Sequence, residues 1–264
     1  MVKKASLLRR LEDIGATLER KEGALLLLGV GSSGKESERM DDYSDLDFFA
    51  YVKDGGKRRF IDRLDWLEEV HPLAYAFRNT ADGYKILFED GIYGEFAIFE
   101  EREAPNVSYR GGKVIWKHPQ CLLDIPENGS ARIPNIRQDS LEFPVNEALT
   151  NLYVGLGRYA RGEKLSAVRF IQGYAVDSLL SVLHLVEQET EYYPDPYGND
   201  RRLESRFPEF ARVLPSMIGG YGRVPESALA ILAYLERIYP VNARLSAEIR
   251  ELAGSLLGRP RLEE

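Results

Sequence analysis

The sequence predicts an α+β protein, with a mixed β-sheet domain flanked by helices over residues 1–140 and a helical bundle domain over residues 141–264. Three observations carry this expectation. In the first half, short apolar and aromatic runs separated by turn sequences alternate with helical stripes. In the second half, apolar residues recur only at helical spacing. Between the halves, Pro119 to Pro144 holds four prolines and little periodicity, as a connecting segment does.

The elements follow in order. Lys4 to Arg20 places Leu7, Leu8, Leu11, Ile14 and Leu18 on one helical face. Leu25 to Leu28 is too short an apolar run for a helix and is followed at once by glycines, so it reads as a buried strand. Leu46 to Val52 (LDFFAYV) is aromatic and β-prone. Phe60, Ile61, Leu64, Leu67 and Val70 form a second helical stripe. Ala74 to Arg78, Tyr84 to Phe88 and Glu95 to Phe99 are strands separated by Ala-Asp-Gly and Asp-Gly-Ile-Tyr-Gly turns, and Lys113 to Trp116 is a further strand. Helices are expected over Val145 to Arg161, Lys164 to Gln188, Pro225 to Tyr239 and Ala243 to Leu257, with a loop at Tyr192 to Gly198. Tyr153, Tyr159, Phe170 and Tyr174 lie at helical spacing and read as core; Glu100, Glu101 and Glu103 read as a solvated charge run.

Composition narrows the function. The 264 residues include 42 acidic and 35 basic side chains, a formal net charge of −7, with 44% hydrophobic and 29% charged residues. This is the make-up of a folded protein rather than a disordered one. Net acidity argues against gripping nucleic acid, which needs a clustered basic surface, and is compatible with a cationic small molecule. No apolar run approaches the roughly 20 residues of a membrane helix. The start carries positive charge without an apolar stretch, unlike a secretory signal, and the single cysteine, Cys121, fits a reducing cytoplasm.

The run Gly29-Val-Gly-Ser-Ser-Gly34 admits two readings. As GxGxxG it matches the dinucleotide-binding fingerprint, with Asp54 twenty residues beyond Gly34 as a ribose-binding acid. That fold needs an amphipathic helix directly after the glycines, however, and KESERMDDYS offers only Met40 and Tyr43 as apolar residues before the next strand. The second reading takes the loop together with Asp45 and Asp47, two apart at the start of a strand and therefore on one face. Like charges so placed repel unless a cation compensates. Oxygen ligands of this kind suit Mg²⁺, which is held by one or two carboxylates plus substrate phosphates. The Gly-Ser loop supplies N–H groups and hydroxyls for those phosphates. Glu95, opening an otherwise apolar strand, is the candidate third acid; the alternative is a solvated acid at a strand end.

These residues resemble the nucleotidyltransferase superfamily related to DNA polymerase β. Its pattern is a Gly-Ser pair (here Gly31 and Ser32), an Asp-x-Asp pair (Asp45 and Asp47) and a third acid on a later strand (Glu95). YSDLDFF, Asp65 to Asn79, Ile86 to Phe96, Arg169 to Leu180 and Asp195 to Pro208 are similar in order and spacing to the antibiotic-modifying members, most closely the lincosamide nucleotidyltransferases, with aminoglycoside nucleotidyltransferases more distant. The resemblance covers most of the chain. The loop from Gly31 to Asp45 is slightly longer than the family's, which leaves open which of Ser32, Ser33 and Lys35 meets the triphosphate.

The resemblance implies a nucleotidyltransferase sheet domain and transfer of a nucleoside monophosphate from ATP, or another nucleotide, to a hydroxyl of a small antibiotic, with release of pyrophosphate. It implies catalytic and Mg²⁺-binding roles for Asp45, Asp47 and Glu95, Glu95 being either metal ligand or general base. Gly31, Ser32, Ser33 and Lys35 would bind the nucleotide. A lincosamide is the expected acceptor and an aminoglycoside the alternative; a non-catalytic binding module is the third reading. No nucleic-acid or membrane partner is expected, and a homodimer is, because related enzymes often form one.

Overall fold

A computed structural model of the chain describes residues 4–126, 128–129, 136–193, 195 and 197–258. The fold is α+β, and the chain divides into two units, Met1–Arg132 and Ile133–Glu264, within the proline-containing connector. The first holds a mixed sheet of β1 (Ala24–Gly29), β2 (Leu46–Val52), β3 (Leu73–Arg78), β4 (Gly83–Phe88), β5 (Tyr93–Glu100) and β6 (Lys113–Lys117) in the order β3-β4-β5-β2-β1-β6. β2 and β5 run parallel; the other neighbours are antiparallel. All six predicted strands are present, with ends displaced by at most two residues.

Alternation along the strands assigns the two faces. Leu46, Phe48, Ala50, Ile86, Phe88, Phe96 and Ile98 join α1 (Lys4–Glu19) in one core through Leu7, Leu11, Ile14 and Leu18. The helix lies close on the sheet, since a Cβ on Gly15 would stand 3.1 Å from that of Trp116. Tyr51, Leu26 and Leu28 pack on the other face with Val107, Tyr109 and Cys121. β1 is buried along its whole length, which explains its unbroken apolar run.

The stripe from Phe60 to Val70 forms two short helices, α2 (Lys57–Ile61) and α3 (Asp65–Glu68), rather than one. The indole of Trp66 donates to the carbonyl of Phe60 (3.0 Å), supplying a side-chain partner where the helix ladder stops. The acidic run that begins at the last residue of β5, Glu100, is likewise not simply solvated. Glu100 is buried and accepts from the N–H of Gly55 (2.9 Å), while Glu103 accepts from the Glu100 N–H (2.7 Å) and pairs with Lys57.

The second unit is helical: α4 (Glu142–Ala160), α5 (Lys164–Val168), a π-helical segment (Arg169–Ala175), α6 (Val176–Val182), α7 (Leu203–Arg206), α8 (Pro208–Met217), α9 (Val224–Ile238) and α10 (Ala243–Leu257). Its core gathers Leu149, Leu152 and Leu156 of α4 with Ile231, Leu235, Ile249 and Ala253. The helix expected over Lys164 to Gln188 is helical to Leu185, widened at 169–175 and tightened at its end. Within the wide turn Gln172 is buried, donating to Gly220 O (2.9 Å) and Ser227 Oγ (3.1 Å) and accepting from Gly220 N (3.1 Å). The aromatic stripe departs from expectation: Tyr153 and Tyr174 are exposed, and Tyr159 and Phe170 are half-buried. The buried positions of α4 are 144, 145, 148, 149, 152, 155 and 156, so Tyr153 turns off the core face. α7 and α8 were not expected, although Phe210, Val213, Leu214 and Met217 have helical spacing behind Pro208 at a helix start. Pro194 and Pro196 of the predicted loop lie outside the described residues. Among those described, no helix is long and apolar enough to cross a membrane.

Candidate active site

The glycine loop forms a 3₁₀ turn, Gly31–Ser33, directly after β1, and a second, Ser37–Arg39, follows it. β1 and β2 are antiparallel, so no βαβ crossover joins them, and Asp54 lies beyond the far end of β2, where it accepts from the N–H of Arg102 (3.0 Å). The dinucleotide reading therefore falls. The glycines have another cause: a Cβ on Gly29 would sit 2.1 Å from the carbonyl oxygen of Ser33, and Gly31 takes φ +57° with Asp47 Oδ2 only 3.0 Å from where its Cβ would be. The turn is folded hard against Asp47.

Ser33 fixes the start of β2. Its hydroxyl accepts from the Asp47 N–H (3.2 Å) and donates to the Asp45 carbonyl (3.5 Å), while the Val30 N–H continues the ladder to Asp47 O (2.9 Å). The N–H groups of Ser33 and Gly34 close the turn on Val30 and Gly31. Ser32 is buried; Lys35 is exposed and donates to Asn128 Oδ1 (2.7 Å).

The parallel pairing of β2 with β5 places Asp47 opposite Glu95, and both side chains project from the same face. With Val30, Asn79, Thr80 and Asp82 they line a cleft of about 370 Å³. Asp45 lines a different hollow, about 740 Å³, with Asp42, Tyr43, Ser44 and Tyr93. The structure thus brings Asp47, Glu95 and the Gly31–Ser33 turn together and places Asp45 beside them.

Asn79, Lys85 and Asp82 were not foreseen. Asn79 Nδ2 donates to Glu95 Oε1 (2.7 Å), an orientation the carboxylate dictates because a carbonyl facing it would be repelled. The other amide atom, Oδ1, is buried and has no hydrogen-bond partner. Lys85, directly across β4 from Glu95, stands 3.6 Å from Oε2. At the cleft edge Lys57 bridges Asp82 (2.7 Å) and Glu103 (2.8 Å). Burial opposes the lysine's charge, but hydrogen bonds and attraction from those acids outweigh it and raise its pKa. The signal in sequence was register: once β3–β4–β5 is a meander, Lys85 falls opposite Glu95 and Asn79 at the mouth of the hairpin.

Among the described residues no group of three or more His, Cys, Asp or Glu is close enough to hold a metal ion. Two carboxylates side by side on one sheet face nonetheless form an all-oxygen donor pair of the kind Mg²⁺ takes when substrate phosphates complete its shell.

No family model matches the sequence, and no curated protein does. Among solved structures the chain is similar to an aminoglycoside 6-adenyltransferase from Bacillus subtilis, with 16% identity over 92% of this chain and 90% of that one and a TM-score of 0.33. It is also similar to a STING-associated CdnE c-di-GMP synthase from Capnocytophaga granulosa, with 10% identity over 96% and 80% of the two chains and a TM-score of 0.29.

Proposed function

We propose that the protein is a Mg²⁺-dependent nucleotidyltransferase that moves a nucleoside monophosphate, AMP from ATP, to a hydroxyl of a small antibiotic, a lincosamide, and releases pyrophosphate. The observation that carries this reading is the in-register pair Asp47 and Glu95 with the Gly31–Ser33 turn packed against Asp47. The sheet unit is the catalytic one, and Asp45 assists from the adjoining hollow.

Mg²⁺, when bound, supplies charge neutralisation at the phosphoryl oxygens and a lowered pKa for the acceptor hydroxyl. Asp47 and Glu95 would hold it, with Asp45 as a further candidate ligand. The triphosphate tail lies along Gly31 and Ser32, because Ser33 spends its hydroxyl on β2 and its N–H within the turn, and Lys35 is bonded to Asn128. Asn79 fixes Oε1 of Glu95, and Oε2, which Lys85 faces at 3.6 Å, would be the oxygen that meets the metal or takes the acceptor's proton. Holding both reactants over the same sheet row supplies proximity.

The test is incubation with ATP, Mg²⁺ and a panel of lincosamides and aminoglycosides, followed by mass analysis for a nucleotidyl adduct. An adduct on a lincosamide is expected; adducts on aminoglycosides alone would move the acceptor class, and none on any acceptor would sink the reading.

A further inference from the structure

The register that joins Asp47 to Glu95 continues across the sheet. Asp47 faces Glu95, Glu95 faces Lys85, and Lys85 faces Phe77 on the edge strand β3, so all four side chains leave the same face. The next row on that face is Tyr93, Leu87 and Tyr75. Tyr75, Phe77 and Tyr93 are 54%, 52% and 38% exposed, an unusual outlay of large rings beside a polar cleft.

The order of these groups gives the face a direction. The Gly31–Ser33 turn follows β1, on one side of Asp47; Glu95, Lys85 and Phe77 lie successively farther on the other. In an in-line displacement the entering oxygen and the leaving pyrophosphate stand on opposite sides of the phosphorus. A triphosphate tail at Gly31 and Ser32 therefore sends the acceptor in from the Glu95 side, over β5, β4 and β3. Strands are roughly 4.8 Å apart, so β3 lies roughly 10 Å beyond Glu95, about the span of a small molecule of one or two rings. Lys85 stands midway along that path and disfavours several ammonium groups there.

We propose that Tyr75 and Phe77 on β3 form the acceptor platform, flanked by Tyr93 on β5, and select a hydroxylated molecule that carries an apolar or ring face about 10 Å from the hydroxyl attacked. The rings accept that face by stacking and burial. This rests on the nucleotidyl-transfer reading above, which supplies the direction of attack.

The test compares wild type with Phe77→Ala and Tyr75→Ala, both at exposed positions. The acceptor KM should rise roughly three- to tenfold in each while the nucleotide KM stays within about twofold. A rise in the nucleotide KM alone would give the rings to the base, and unchanged KM values with an altered oligomeric state on size exclusion would make β3 a contact between copies; either overturns the proposal. If the wild type transfers nucleotide to no acceptor, the reaction fails but the platform is still judged by saturation-transfer NMR with phenyl β-glucoside against methyl β-glucoside. Phenyl signals that weaken in Phe77→Ala support it. No wild-type phenyl signal, or the same signal in both proteins, overturns it.

Discussion

At Ser33 a single hydroxyl touches the backbones of both acids of the Asp-x-Asp pair, so the local sequence builds the site through its main chain before any ligand arrives. Gly31 completes the arrangement. Gly31→Ala would impose a left-handed conformation on an L-residue, costing roughly 1–2 kcal/mol, and press a Cβ on Asp47 Oδ2. The expected result is a lower urea midpoint with an unchanged m-value, together with a higher nucleotide KM. Asn79 acts one step back, by fixing Glu95. Asn79→Ala should lower kcat roughly tenfold or more while the nucleotide KM changes little, and Asn79→Gln, which retains the amide, should recover part of the loss. Equal kcat in wild type and Asn79→Ala would show that Glu95 needs no such anchor.

At the scale of elements, the strands were legible because Gly, Pro or Asp turns bound them and because β1 is an unbroken buried run while β2 and β5 carry alternating or aromatic patterns. Periodicity failed where a side chain intervened in a helix ladder. Trp66 supplies a partner to the carbonyl of Phe60 and divides one stripe into α2 and α3, and Gln172 binds Gly220 and Ser227 from inside a π turn. Neither bond leaves a trace in spacing. Of the candidate site, the residue types Gly31, Asp47 and Glu95 were legible by position and the structure brings them together, whereas Asn79 and Lys85 become visible only when the register of β3, β4 and β5 is known. The close packing of the wide turn is testable. A Cβ on Gly155 would lie 2.5 Å from Ile171 Cγ1, so Gly155→Ala should overpack α4 against the π segment and cost about 1–3 kcal/mol, read as a lower thermal midpoint. A stabilised Gly155→Ala protein would mean that the two segments yield freely.

For the molecule as a whole, 42 acids serve several ends, and some of them hold the helical unit together. Glu189 receives Arg137 through both oxygens (3.0 and 2.8 Å) and the buried Arg206 (2.9 and 2.7 Å). Burial works to raise its pKa, but the bonds and charges of the two arginines outweigh it and lower the value below the ordinary 4.5. A depressed carboxylate contributes stability above its unfolded pKa and loses it as the pH falls through the folded one, so the helical unit should weaken from about pH 4.5 downward. Glu189→Gln should flatten that acid limb. Glu189→Ala should cost about 3–5 kcal/mol at neutral pH, because Arg206, 2% exposed, is left without its carboxylate. Denaturant melts across pH check both. Nucleotidyl transfer by the sheet unit is put to the test by mass spectrometry of a lincosamide incubated with ATP, Mg²⁺ and the protein. The expected result is an acceptor heavier by one adenylyl group with pyrophosphate released, abolished in Asp47→Asn and Glu95→Gln. An unmodified acceptor, or an adduct formed equally well by those variants, would contradict it.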